Sequence, residues 1–336
     1  MKLYNPCIAV CLFFLFAITS CSKSPDQPDT NNEPKVDLPF YYLFNVGDYN
    51  LQTVDNKRQV NMIFQVLDKN GKGVVNMNKV SAYKLLDYQN DMTTSAESNV
   101  TIDTFGSIPT EINSILLLDL SKSVEGFVPQ IKQAALSFIN ASLQGQKFAI
   151  YTFDGETPKL RIDFTTNKTQ LSAAINSLPE TNLGTSTNIY EALITASNKL
   201  PEEVYSTQRI VQSNILLFTD GREEANPQNK GQALFAIEDK NVFVAALQSN
   251  SLDESTLIEL SSGNYFKAGN IAELETKFKE IQDDISKLSR SVYWLYYTSP
   301  RRGNNTWHIS LSIKENTNLD LMGNSQATGS YSSSKF

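Results

Sequence analysis

Carboxylate and hydroxyl side chains follow two apolar stretches of the sequence. Asp119, Ser121 and Ser123 alternate directly after the first stretch, and Asp220 comes just after the second. If the first loop curls, its three side chains turn their oxygen atoms toward one point. Hard divalent cations such as Mg²⁺ prefer oxygen ligands of this kind. The pattern therefore predicts a cation site built from hydroxyl and carboxylate oxygens.

The first segment alone is a weak signal. With ordinary residue frequencies, Asp-x-Ser-x-Ser occurs by chance in roughly one chain in ten of this length. Ser121 or Ser123 could instead cap the amino end of a following helix, where a serine hydroxyl accepts a hydrogen bond from a free backbone amide. Helix capping leaves Asp220 unexplained, so the interpretation depends on both segments lying at the same place in the fold.

The block from 111 to 291 has the pattern of an α/β domain. It contains four short, unbroken apolar runs, which are typical of central strands in a parallel sheet covered on both faces. These runs are Ile115–Leu118, Phe148–Tyr151, Ile215–Phe218 and Val242–Leu247. Apolar residues spaced three or four apart predict amphipathic helices between and after them, most clearly from 271 to 288. We therefore predict a doubly wound, mainly parallel sheet flanked by helices, in which ligands bind at the carboxyl ends of the strands.

This block resembles the von Willebrand factor type A family in three separate motifs. Asp119, Ser121 and Ser123 match the family's first metal-site motif, directly after a hydrophobic strand. The segment 187–193, Thr-Asn-Ile-Tyr-Glu-Ala-Leu, is similar to the family's threonine loop running into a helix. The segment 218–221, Phe-Thr-Asp-Gly, is similar to its closing aspartate segment. The motifs stand in the family's order and at strand or helix boundaries, which chance and helix capping do not explain.

The resemblance implies a Rossmann-like fold with a metal-ion-dependent adhesion site made by Asp119, Ser121, Ser123, Thr187 and Asp220. In related domains the serine hydroxyls, and sometimes the threonine, touch the metal, while the aspartates often act through water. A cation held by so few anionic oxygens keeps much of its charge and is ready for a carboxylate from a partner. Mg²⁺ is the expected ion, with Mn²⁺ and Ca²⁺ as alternatives.

Two positions depart from the family pattern. Lys122 stands where glycine is frequent and brings a positive side chain near the site, unless it points to solvent. Ser186 precedes Thr187 where glycine is frequent, and Thr185 offers a second hydroxyl. We choose Thr187 because its four-residue offset to Glu191 fits the family pattern.

Composition argues against catalysis and against nucleic-acid binding. The chain has one histidine, His308, and three cysteines, all within the first 21 residues. Most histidine-dependent nucleophilic catalysis and any cysteine- or histidine-rich zinc site are thereby excluded. The sequence also lacks a P-loop and a glycine-rich nucleotide turn. With a formal net charge of −7, phosphate backbones are poor partners. We expect a binding protein without enzymatic activity and without a nucleic-acid partner.

The two flanks of the α/β block are predicted to be strands. In the segment 38–110, apolar and polar residues alternate over 60–66, before the turn signal Asp68-Lys69-Asn70-Gly71. Neither flank has enough strands to bury a face alone. We therefore expect 38–110, an immunoglobulin-like β-rich segment, to pair with a C-terminal β-hairpin over 292–336. The α/β domain, 111–291, would then be inserted in, or flanked by, a small β-sandwich.

The first 37 residues have the pattern of a secreted, lipid-anchored protein. Lys2 and the short apolar stretch 8–17 predict a signal peptide over 1–20, too short to span a bilayer. Ile18-Thr19-Ser20-Cys21 resembles the bacterial lipobox, which implies acylation of Cys21. The segment 21–37 contains three prolines and little to bury, which predicts a flexible tether. We expect a lipoprotein of the bacterial cell envelope that is anchored in the outer membrane, on either its periplasmic or its surface face.

Two functions from different classes remain. In the first, the anchored protein binds a protein ligand through its divalent cation, in adhesion or in an interaction within the envelope. In the second, the chain is a structural subunit of an envelope complex, with metal-independent contacts through the β-sandwich. The aromatic segment 293–297 could make such contacts, although burial in a core is the more frequent role of such a strand. Sensitivity to a chelator separates the two functions.

Overall fold

The computed structural model describes residues 41–45, 50–54, 57–206, 208–225, 228–261, 263–314 and 326–335. The predicted signal peptide, Cys21 and the tether lie outside these residues. The described strands are β1 (Tyr41–Asn45), β2 (Asn50–Val54), β3 (Lys57–Asp68), β4 (Tyr83–Asp87), β5 (Asn90–Asp91), β6 (Thr101–Asp103), β7 (Thr110–Asp119), β8 (Lys147–Phe153), β9 (Lys159–Thr165), β10 (Val204–Tyr205), β11 (Ile210–Thr219), β12 (Asn241–Leu247), β13 (Tyr265–Ala268), β14 (Val292–Thr298), β15 (Thr306–Ile313) and β16 (Gln326–Ser332). The described α-helices are α1 (Val128–Asn140), α2 (Lys168–Asn176), α3 (Ile189–Lys199), α4 (Lys230–Ile237), α5 (Glu254–Leu260) and α6 (Leu274–Arg290).

The largest sheet has the strand order β13-β12-β11-β7-β8-β9, with β10 beside β11. The strands from β13 to β8 are parallel, and β9 is an antiparallel edge strand. Helices α1, α2 and α6 cover one face, and α3, α4 and α5 cover the other. The prediction of a doubly wound, mainly parallel sheet flanked by helices is therefore confirmed.

The helices are held to this sheet by buried apolar side chains. On α6, Leu274, Phe278, Ile281 and Ile285 recur at helical spacing and are buried. The Phe278 ring packs edge-on against Phe138 of α1, with centroids 6.0 Å apart. Burying each such side chain contributes about 1.5–3 kcal/mol. Among the residues that the structure describes, no helix has both the length and the apolar content that crossing a membrane requires.

Two smaller sheets form a β-sandwich from both flanks of the chain. One sheet has the order β1-β3-β14-β6, with β2 beside β3, and the other has the order β16-β15-β4-β5. Their shared core includes Phe64, whose ring lies 5.5 Å from Tyr83 and 5.5 Å from Tyr293. Trp294 of β14 pairs with Asp103 of β6. The α/β domain is therefore inserted in the sandwich between two neighbouring strands.

The segment 292–336 differs from the simple hairpin expected for it. It supplies three strands, and these belong to two sheets: β14 lies between β3 and β6, whereas β15 pairs with β4 and β16. Both edges of β14 are already hydrogen-bonded, so β15 cannot fold back onto it. The chain instead crosses to the opposite sheet, and among the described strands of this segment only β15 and β16 form an antiparallel pair.

Candidate metal site

Asp119 and Asp220 lie at the carboxyl ends of two neighbouring parallel strands. Asp119 is the last residue of β7, and Asp220 directly follows β11. The pairing of Leu118 with Phe218 keeps these two strand ends level. Asp119 is fully buried and Asp220 is 3% exposed. The predicted carboxylates therefore come together at one edge of the sheet.

The two serines of the first motif connect to Asp220. The hydroxyl oxygens of Ser121 and Ser123 are 3.0 Å apart, and Ser123 Oγ donates to Asp220 Oδ1 over 2.7 Å. Ser121 precedes a 3₁₀ helix, Lys122–Phe127, but its side chain makes no capping hydrogen bond. The two hydroxyls therefore connect the serine loop to the second motif, and Ser121 does not act as a helix cap.

Asp119 is held in place from both sides of the site. Its Oδ1 accepts the Ser121 amide over 2.9 Å, and its Oδ2 accepts the Thr219 hydroxyl over 2.6 Å. Thr219 Oγ1 in turn accepts the Gly221 amide over 3.1 Å. Thr219 thus ties the carboxylate of one strand to the loop after the next, a positioning role that the sequence did not assign to it.

Thr187 joins the cluster from a third loop. Thr187 is 3% exposed. Its hydroxyl oxygen lies 3.6 Å from the position that a Cβ atom would take on Gly221. Thr185, the competing hydroxyl, is exposed. The structure therefore places Thr187, the threonine chosen from the family pattern, beside the residue that follows Asp220.

Backbone contacts fix this threonine loop to its neighbours. The Lys122 amide donates to Gly184 O over 2.6 Å, which joins the threonine loop to the serine loop. On the other side, Thr187 O accepts the amides of Glu224 at 2.9 Å and Ala225 at 3.2 Å. Asn188 then caps α3, because its side chain accepts the Glu191 amide. The three loops form one hydrogen-bonded unit.

Two further residues support the site and were not predicted. Glu223 Oε2 accepts the free amides of Ile189 at 2.6 Å and Tyr190 at 3.0 Å, at the amino end of α3. Ser249 donates its hydroxyl to the backbone oxygen of Asp220. Ser249 lies just beyond the carboxyl end of β12, so the rule that located Asp220 could also have located it. Glu223 carries no comparable signal in the sequence.

The electrostatics of the cluster are dominated by two buried acids. Burial raises the pKa of Asp119 to about 7, and the neighbouring Asp220 adds to the rise. Burial likewise raises the pKa of Asp220. Lys122 points away and pairs with Glu125 over 2.7 Å. Within the described part of the chain, neither aspartate forms an ion pair with Lys or Arg.

The donor set fits a hard divalent cation. Its predicted members offer three hydroxyls and two carboxylates, all of them oxygen ligands, at the edge where parallel strands end. A cation there would also supply the positive charge that the two buried carboxylates lack. Among the described residues, no group of three or more His, Cys, Asp or Glu could hold a metal ion. A cation at this edge would therefore depend on the hydroxyls of Ser121, Ser123 and Thr187.

Comparison with known proteins relates this part of the chain to one family. Residues 114–223 match the family model of the von Willebrand factor type A domain. No curated protein matches the chain significantly.

Three solved structures are similar to parts of the chain. Proximal thread matrix protein 1 from the mussel byssus shares 17% identity over 53% of this chain and 49% of its own, with a TM-score of 0.45. A von Willebrand factor type A protein from Catenulispora acidiphila shares 11% over 89% and 74%, with a TM-score of 0.44. The manganese-loaded TRAP protein of Plasmodium vivax shares 13% over 70% and 97%, with a TM-score of 0.44. The chain spans about half the length of the mussel protein.

Proposed function

Because residues 114–223 match the family model of the von Willebrand factor type A domain, we propose that the protein holds one divalent cation there and binds a protein partner through it. The observation that carries this proposal is the chain of oxygens from Ser121 through Ser123 to Asp220, at 3.0 and 2.7 Å, beside the fully buried Asp119. Three separate loops converge on these atoms, and a hydrophobic or purely structural loop contact would not require buried acids at their centre.

The cation is proposed to be held by Asp119, Ser121, Ser123, Thr187 and Asp220. Mg²⁺ is the first choice because the ligands are all oxygens, and Mn²⁺ and Ca²⁺ share this preference. When bound, the cation supplies an electrophilic position that an acidic side chain of a partner can complete. Ser123 is exposed, so the cluster is reachable from solvent on the side where a partner would approach.

A binding role is proposed rather than an enzymatic one. General acid–base chemistry needs a base within hydrogen-bond reach of the reacting group. The chain's one histidine, His308, lies exposed on β15, in the sandwich and not at the carboxyl edge of the large sheet. Asp154, a carboxylate at the same edge as the cluster, accepts the Glu156 amide and pairs with Lys159 over 3.3 Å. One Asp154 oxygen thus binds the amide of its own turn and the other binds Lys159.

The proposal is tested by titrating Mg²⁺ and Mn²⁺ calorimetrically into metal-stripped protein that starts at Ser22. We expect one binding site per chain. Envelope proteins are then captured on the immobilised protein with excess Mg²⁺ or with a chelator, and the same partner should be retained only with the metal. If the same partner is captured with and without the chelator, binding does not depend on the metal, and contacts through the β-sandwich are supported instead. In that sandwich, however, Tyr293 and Tyr297 of the aromatic strand are buried and unavailable to a partner.

We also propose that acylated Cys21 anchors the protein to the bacterial envelope, most simply at the outer membrane. The support is the sequence Ile18-Thr19-Ser20-Cys21 after an apolar stretch. Two or more acyl chains on one residue give stable anchoring, since each buried methylene contributes about 0.8 kcal/mol. We expect Cys21→Ser to move the protein from the membrane fraction to the soluble or unprocessed fraction. Cys11→Ser serves as the matched control, and equal membrane recovery of both variants would contradict the anchor.

A further inference from the structure

Arg222 lies in the loop that carries Asp220, two residues further along the chain. Its neighbours on both sides contact the threonine loop. The Thr187 hydroxyl oxygen lies 3.6 Å from the position of a Cβ atom on Gly221, and the Glu224 amide donates to Thr187 O over 2.9 Å. Since consecutive Cα atoms are about 3.8 Å apart, the Cα atoms of Asp220 and Arg222 are at most about 7.6 Å apart. The Arg222 side chain is 63% exposed. The proposed metal site therefore has an exposed arginine beside it.

The guanidinium group of Arg222 lacks a hydrogen-bonded acid among the described residues. Its ion pair with Glu224 is loose, because Arg222 Nε and Glu224 Oε1 are 3.7 Å apart, beyond hydrogen-bond distance. An arginine presents its N–H groups in a planar fork that binds a carboxylate through two parallel hydrogen bonds. Arg222 therefore has donors available for an acid from outside the chain. Three lysines at the same edge of the sheet differ, since each lies closer to a carboxylate: Lys122 to Glu125 at 2.7 Å, Lys159 to Asp154 at 3.3 Å and Lys230 to Glu259 at 2.7 Å.

The acids of the same loop leave Arg222 available. Glu223 uses both carboxylate oxygens on backbone amides: Oε2 accepts two amides at the amino end of α3, and Oε1 accepts the Ala225 amide over 3.0 Å. Glu224 competes for the guanidinium group, but its side chain is 38% exposed, and ion pairs between exposed side chains are weak. A carboxylate that forms two parallel hydrogen bonds with Arg222 therefore displaces Glu224 at little cost.

A second acid-binding point beside the cation suits a partner with paired carboxylates. In an extended segment, side chains two residues apart lie on the same face and about 6.6 Å apart, which is within the span of the loop from Asp220 to Arg222. We propose that the partner binds through an extended segment in which two acidic residues are separated by one other residue. One carboxylate completes the cation, and the other binds the Arg222 guanidinium group in place of Glu224. This arrangement rests on the proposed function, because the first carboxylate needs the cation.

The experiment uses two peptides, Gly-Asp-Gly-Asp-Gly and Gly-Asp-Gly-Asn-Gly, acetylated and amidated so that their ends carry no charge. Each is titrated calorimetrically into the chain from Ser22 with excess Mg²⁺ or with EDTA. With Mg²⁺, we expect the two-acid peptide to bind about threefold to tenfold more tightly than the one-acid peptide. Arg222→Met should bind both peptides equally, and Glu224→Gln should bind the two-acid peptide more tightly than the native protein. Arg209→Met is the matched control, because Arg209 is an exposed arginine before the amino end of β11. This variant should keep the native preference.

The outcomes separate this second binding point from the proposed function. Equal affinity of the native protein for the two peptides, or a preference that survives in Arg222→Met, would overturn the role of Arg222 while leaving metal-dependent binding in place. A native protein that binds Mg²⁺ but neither peptide would also overturn it, since the cation would then accept no carboxylate from a partner. If the native protein binds no Mg²⁺, or binds the peptides equally well with EDTA, the proposed function fails and the second binding point fails with it.

Discussion

We expect Asp119→Asn to abolish the proposed metal binding while leaving the metal-free fold at least as stable as the native one. Asparagine keeps the size of the side chain and an oxygen that accepts the Ser121 amide. It removes a fully buried carboxylate whose pKa burial raises to about 7, which means that its ionised form is costly in the metal-free protein. With Mg²⁺ at about 100 times its Kd, the native protein should gain about 2.7 kcal/mol of stability, and the variant should gain nothing. Thermal unfolding with and without Mg²⁺ measures both effects.

Two further variants test whether the effect on Mg²⁺ binding is specific to the proposed site. Thr219→Val removes the hydroxyl that donates to Asp119 and should weaken Mg²⁺ binding by about 10–100-fold, the usual effect of losing a residue that orients a ligand. Asp154→Asn changes a carboxylate at the same edge that is paired with Lys159, and should leave the affinity unaltered. A native protein that gains no stability from Mg²⁺, Mn²⁺ or Ca²⁺ would remove the cation from the proposed function. Equal gains in the native protein and in Asp119→Asn would place the cation elsewhere.

Much of this site could be predicted because strand ends are easy to find in a parallel sheet. An unbroken apolar run marks a strand buried on both faces, and the first polar residues after it must lie at the carboxyl edge. Asp119 follows such a run directly and Asp220 follows one after a single residue, and the structure places both at that edge. Thr187 follows no strand, and its position was expected only from the family resemblance. Thr219 and Ser249 also lie at the carboxyl ends of such strands, so the same rule could have located them, although their hydrogen-bond partners are distant in sequence. Glu223 has no comparable signal in the sequence.

The fold was predictable where burial leaves a periodic signal and not elsewhere. The strand β9, Lys159–Thr165, is largely exposed at the sheet edge and therefore lacks an apolar run. β13 has only four residues, three of them half-buried, which is too short for a recognisable pattern. The alternating strands β14 and β15 were expected to pair with the other flank. Their division between two sheets depends on β3 and β6 occupying both edges of β14, and alternation along a strand does not reveal which neighbours it has.

Asp87→Ala should destabilise the β-sandwich by about 3–5 kcal/mol, the usual cost of removing one partner of a buried ion pair. Asp87, at the end of β4, is fully buried, and Arg301 Nε donates to its Oδ1 over 3.1 Å. Its Oδ2 accepts the hydroxyls of Tyr331 at 2.7 Å, Tyr297 at 3.0 Å and Ser299 at 3.1 Å. These donors come from both sheets. The substitution therefore leaves a guanidinium that is 14% exposed without its counter-charge. It also removes the carboxylate oxygen that three hydroxyls share, at the point where the chain crosses between the sheets.

The chain contains a convenient probe for this prediction. Its two tryptophans, Trp294 and Trp307, both lie in the sandwich strands β14 and β15, so tryptophan fluorescence during urea unfolding follows the sandwich. Asp239→Ala is the matched control, because Asp239 pairs with Lys240 at an exposed position, where an ion pair is worth about 0–1 kcal/mol. A double-mutant cycle with Arg301→Met isolates the pair's own contribution. A loss below about 1 kcal/mol in Asp87→Ala would show that the sheets are held by their apolar core alone. The expected larger loss would instead show that this ion pair stabilises the contact between the two sheets of the sandwich in which the α/β domain is inserted.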